Sequence, residues 1–185
     1  MDAHDWALCE KVEECVPEIT CEEVDTTDPW YKGDEYKKYH QTGKIYRMKN
    51  GKITAQISTE GWLSFYNQRG ELLTEEYWRN RNRINRYCVP IRVDARELKP
   101  IPGTTDYELT ARFEAYDDEK IFGMGQYQEK HLDKKGAVLE LAHRNSQASV
   151  PFMISSRGYG FFWNNPAIGT ASFGTNKTEW YAKST

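Results

Sequence analysis

No apolar run in this chain approaches the roughly 20 residues that a membrane-spanning helix requires, so no membrane segment is expected. Cysteine is scarce. Cys9, Cys15, Cys21 and Cys88 form no C-x-x-C pair and have no histidine at ligand spacing, which argues against a zinc site. With no secretory leader in the sequence, a cytoplasmic, reducing setting with free thiols is expected, and the Asn176-Lys177-Thr178 sequon then carries little weight. An excess of positive charge is missing as well. The 185 residues sum to a net charge of −3, which argues against non-specific nucleic-acid binding, a property of basic surfaces. The local exception is RNRNRINR at residues 79–86, with four arginines in eight residues. Guanidinium forks suit anions, but a solvated edge pairing with the acidic N-terminal segment explains the cluster more simply.

Complete catalytic motifs are also lacking. Gly123-Met124-Gly125 has neither the third glycine nor the following helix of a dinucleotide fingerprint; its glycines are expected to turn the backbone out of the strand at Ile121 and Phe122. There is no G-x-S-x-G around Ser155 or Ser156. His131 and His143 have no nucleophile beside them and read as surface histidines. Glu140 stands alone where glycoside cleavage needs two carboxylates, and the alternation of Leu139, Glu140 and Leu141 places it facing solvent on an edge strand. No cofactor is expected.

What the chain has in quantity is aromatic residues, 14% of the total, with six Trp, twelve Tyr and seven Phe. They suit pleated, half-buried surfaces and also stack on sugar faces. Residues 1–43 form an acidic segment whose stretch 6–20 fits extended pieces at least as well as a helix, followed by a long surface loop over residues 26–44. From residue 44 the β signal is strong. KIYRMKNGKITAQIS is a hairpin about Asn50-Gly51, a pair suited to a type I′ turn. FYNQRGELL is a second hairpin, turning at residues 67–70 between strands at 62–66 and 72–77. Further strands are expected at 88–93, 107–115, 152–156, 161–164 and 171–173, with a last one at 178–182. SSRGYG at residues 155–160 has the turn residues of a hairpin. Short strands with frequent turns give an all-β antiparallel sandwich over residues 44–185.

Within it, the excursion from Gln126 to Ser149 gathers amide, hydroxyl, guanidinium and imidazole side chains, the types that bond sugar hydroxyls. The ordered set Ile121-Phe122-Gly123-Met124-Gly125-Gln126, Lys135-Gly136, Leu139 to Gln147, Pro151-Phe152 and Ser156-Arg157-Gly158-Tyr159-Gly160 through Asn164 resembles glycoside hydrolase family 31, the α-glucosidases and α-xylosidases. The resemblance implies a galactose-mutarotase-like N-terminal β-sandwich of a retaining α-glycosidase. It implies a catalytic (β/α)8 barrel in the same polypeptide, absent from this chain, so that no residue here is catalytic. By position, Arg144, Asn145, Ser146 and Gln147 match the loop that the sandwich sends to the leaving-group subsite, making them the candidate substrate-binding residues for a carbohydrate. Asn145 stands where many members carry an aspartate, and Gln126 replaces a commoner glutamate. The alternatives are a free-standing carbohydrate-binding sandwich and a mutarotase-like enzyme that would pair His131 or His143 with Glu140. Aromatics at Trp163, Trp180 and Tyr181 are expected to be exposed, which leaves homo-oligomerisation open.

Overall fold

The computed structural model describes residues 17–26, 41–58, 61–77 and 93–185. Thirteen strands and no helix occur among them, and every strand pair is antiparallel. A five-stranded meander comes first: β1 (Glu18–Thr26), β2 (Gln41–Asn50), β3 (Ile53–Ser58), β4 (Leu63–Asn67) and β5 (Leu72–Glu75). A second five-stranded sheet runs in the order β6 (Arg96–Pro100), β7 (Tyr107–Glu114), β13 (Lys177–Ala182), β12 (Gly169–Phe173), β9 (Val138–Leu141). The third sheet holds β11 (Tyr159–Phe162), β10 (Ala148–Ser155) and β8 (Ile121–Gln126).

Turn chemistry sets the hairpins. Asn50 pairs with Ile53, so the two-residue loop is Gly51-Lys52, one residue later than the sequence suggests. Gly51 takes φ of 58° while Lys52 is not left-handed, which is the pattern of a type II′ turn rather than I′. The next hairpin turns where expected. Gly70 N donates to Asn67 O at 3.0 Å, and the Asn67 side chain accepts from the backbone of Arg69 and Glu71. The surface loop expected over residues 26–44 ends earlier, because β2 begins at Gln41. Residues 27–40, and the arginine cluster at 79–86, lie outside the described residues, as does most of the strand expected at 88–93.

The main core lies between the second five-stranded sheet and the three-stranded sheet. β13 alternates, with Thr178, Trp180 and Ala182 pointing in. Trp180 is fully buried, its ring centroid 5.0 Å from Phe161, 5.7 Å from Phe173 and 5.9 Å from Trp163. Ile121 and Met124 of β8, Met153 of β10, Leu139 and Leu141 of β9 and Ala171 of β12 complete the cluster. The expectation of exposed Trp163 and Trp180 is therefore wrong: both are core residues, and only Tyr181 is half-exposed. The expected self-association loses that support.

Candidate functional site

The Gly123-Met124-Gly125 segment does not leave its strand. All three residues have positive φ (94°, 71° and 89°), yet the chain stays in β8. The pairing with β10 jumps from Ser149↔Gly125 to Met153↔Gly123. Val150, Pro151 and Phe152 thus stand opposite the single residue Met124. This is a bulge of three residues against one, and Pro151, which has no N–H to give, sits where a regular ladder would need one. A Cβ on Gly125 would meet Ala148 O at 2.1 Å and Val150 N at 2.8 Å; one on Gly123 would meet Phe152 O at 2.7 Å. The glycines are needed for close backbone approach, and the bulge fixes how β10 starts.

Immediately before β10 lies a tight turn made of the four candidate residues. Gln147 N donates to Arg144 O at 3.1 Å, closing the turn. Ser146 carries φ of 67°, a left-handed conformation costly for a residue with a side chain. Arg144, Asn145 and Ser146 are exposed and Gln147 is half-buried. Arg144 forks onto Glu140, with Nε 3.0 Å from Oε2 and Nη2 2.6 Å from Oε1. That bond holds the Glu140 carboxyl below the ordinary glutamate range and raises Arg144 further. Glu140 is exposed on edge strand β9, as its alternation implies. From below, the Tyr127 hydroxyl lies 2.8 Å from both Glu140 O and Ser149 Oγ. The structure thus brings the four candidates together on one projecting, anchored turn that presents amide, hydroxyl and guanidinium groups to solvent.

The sequence motif at residues 155–160 has a different task. The hairpin turns through Gly158, whose N donates to Ser155 O at 3.0 Å. Arg157 donates from Nε to Leu73 O (3.1 Å) and from Nη2 to Leu72 O (2.8 Å), and stacks 4.0 Å above the Tyr116 ring. It clamps β5 of the first sheet to the rest of the molecule. Beside it, the buried carboxylate of Glu119 accepts from Ser155 Oγ at 2.5 Å and from Tyr159 OH at 2.8 Å. Lys135 Nζ donates to Tyr116 O at 2.9 Å and lies 3.9 Å from Glu119. Burial, and then the Glu119 charge, push the Tyr159 phenol well above its ordinary range. Glu119, Ser155 and Tyr159 therefore form a satisfied internal network. Nothing in the local sequence marks Glu119 for this role except a charged residue directly before an apolar strand.

His131 and His143 are both exposed, and the carboxylate of Glu140 is bonded to Arg144, so Glu140 is not the free partner that the mutarotase-like pairing would need. Among the described residues no cluster of His, Cys, Asp and Glu is arranged to hold a metal. Cys21 is a free, exposed thiol. The described residues contain no helix long and apolar enough to cross a membrane.

Comparison with known proteins fits this geometry. The family model described as the glycosyl hydrolase 31 N-terminal galactose mutarotase-like domain matches residues 26–170. The chain is 53% identical over 147 residues to the uncharacterized family 31 glucosidase ORF2 of Pseudescherichia vulneris, covering 75% of this chain and 28% of that protein. It is 35% identical over 150 residues to alpha-xylosidase A of Aspergillus niger, covering 75% and 19%. The crystal structure of a GH31 alpha-xylosidase from a soil metagenome, complexed with xylose, superposes with a TM-score of 0.79 at 44% identity, covering all of this chain and 25% of that one. The chain thus spans about a quarter of the length of these relatives. A GH31 dextranase from Flavobacterium johnsoniae, at 14% identity and a TM-score of 0.53, shares the fold. With its antiparallel sandwich, its glycine bulge and its Arg157 hairpin, the chain belongs to the family of glycosyl hydrolase 31 N-terminal galactose mutarotase-like domains.

Proposed function

We propose that the chain is the non-catalytic N-terminal domain of a retaining α-glycosidase acting on α-xylosides or α-glucosides, and that Arg144, Asn145, Ser146 and Gln147 border its leaving-group subsite. The observation that carries this reading is the 144–147 turn. In a domain of this family, it projects from two strand ends, is tied from below, and commits its exposed polar groups to no core duty. A glycosidic bond is cleaved with retention by two carboxylates about 5 Å apart. The one exposed acid at the turn, Glu140, is held by Arg144, so the chemistry falls to a catalytic barrel in the same polypeptide. The turn's contribution is recognition: an amide and a hydroxyl can each accept from and donate to sugar hydroxyls. Both substrate classes are carried, because the relative at 53% identity is named a glucosidase and the structure that superposes at 44% identity an alpha-xylosidase.

The test is to assay the full-length protein on α-xylosides and α-glucosides and to follow the anomer first released by NMR. Release of the α-anomer is expected. No hydrolysis of either class, or first release of the β-anomer, would overturn the reading.

A further inference from the structure

The loop carrying the candidate residues is held by a side chain outside it. Tyr127 follows β8 directly, and its ring packs against the core cluster. Its hydroxyl reaches Glu140 O on β9 and Ser149 Oγ on β10, each at 2.8 Å. These strands belong to different sheets, so no ladder bonds join them. Glu140 precedes the turn and Ser149 follows it, so the hydroxyl bridges the two ends of the segment that contains it. The phenol has a single proton. The Glu140 carbonyl can only accept, so it takes that proton, and the buried Ser149 hydroxyl donates to the phenol oxygen. Burial raises the Tyr127 phenol above its ordinary range, so the arrangement holds across neutral pH. Glu140 extends the chain of contacts: its carbonyl is fixed by Tyr127, and its carboxylate fixes Arg144.

We propose that Tyr127 is a positioning residue for leaving-group recognition, because its hydroxyl ties together the two strand ends from which the 144–147 turn springs. The inference rests on the subsite reading above. A hydrogen bond that holds a turn in place acts on whatever the turn touches, and leaves the rest of the pocket as it was. Tyr127→Phe keeps the packed ring and removes only the tie.

The experiment uses the full-length enzyme and two substrates with the same glycone: a disaccharide, and an α-glycosyl fluoride whose leaving group has no hydroxyl. Tyr127→Phe is expected to lower kcat/KM on the disaccharide about five- to tenfold, the worth of one lost hydrogen bond, and to leave the fluoride within about twofold on the same principle. Ser149→Ala, which removes the donor on the other side, should show the same selectivity and serves if Tyr127→Phe fails to fold. With Asn145→Ala the effects should combine non-additively, since both act through one turn. A role confined to stability would lower both substrates together. If Asn145→Ala discriminates between the two substrates while Tyr127→Phe and Ser149→Ala do not, the positioning role is wrong and the subsite reading stands. If Asn145→Ala itself does not discriminate, the subsite reading fails and the positioning role fails with it.

Discussion

Replacing Trp180 with alanine is expected to destabilise the fold by about 3–5 kcal/mol, the range for deleting a large buried aromatic side chain. The indole is fully buried and touches aromatic rings from three other positions, Phe161, Trp163 and Phe173. Removing it leaves a cavity that residues on paired strands cannot easily collapse to fill, since the ladders to β7 and β12 hold the backbone on both sides. The alternative, an exposed Trp180 on an association surface, predicts a change within about 0.5 kcal/mol, as for most surface substitutions. Equilibrium denaturation separates the two outcomes by a wide margin. A shift below about 1 kcal/mol would contradict the packing described above.

The second large effect is expected at Gly125. An alanine there must take φ of 89° and bring its Cβ to 2.1 Å from Ala148 O and 2.8 Å from Val150 N. Both obstacles are backbone, so no side chain can swing away and the β8–β10 pairing must part. Positive φ costs an L-residue about 1–2 kcal/mol, and overpacking adds about 1–3 kcal/mol. The sum is about 2–5 kcal/mol. Gly51→Ala is the matched control: φ is 58° and nothing lies within 4 Å of the added Cβ, so only the conformational cost of about 1–2 kcal/mol remains. Because Ala148 follows Gln147, the Gly125 substitution should also disturb the candidate turn, whereas Gly51 should not. Equal destabilisation by the two alanines in denaturation experiments would remove the bulge from the account.

The hairpins were legible in the sequence because their causes are local. Asn67 and Gly70 set one turn and Gly158 another, and the structure has both. The Gly51 turn was legible to within one residue. What failed depends on partners distant in sequence. Gly123 and Gly125 look like an exit from a strand, and only the opposing Ala148 and Phe152 carbonyls reveal a bulge. β6 was missed because all five of its residues are exposed, leaving no alternation to detect. Trp180 was misplaced although a signal existed: Lys177 and Glu179 alternate with Thr178 and Trp180, which points the indole inward. Trp163 had no such flanking charges. The candidate turn could be placed from the sequence by its resemblance to family 31. Its anchors could not, since Tyr127 lies 13 and 22 residues from the groups it joins. The motif at residues 155–160 was legible as a turn, but the clamp of Arg157 on the Leu72 and Leu73 carbonyls spans more than 80 residues.

The proposed role of this domain as one wall of a leaving-group subsite is tested most directly by kcat/KM of full-length Asn145→Ala on a disaccharide and on a glycosyl fluoride. Asn145 is exposed at the tip of the turn and has little packing to lose. A loss of about tenfold or more is expected on the disaccharide, the worth of one or two hydrogen bonds, with the fluoride nearly unchanged and no fall in stability. The same fractional loss on both substrates, or none on either, would contradict that role.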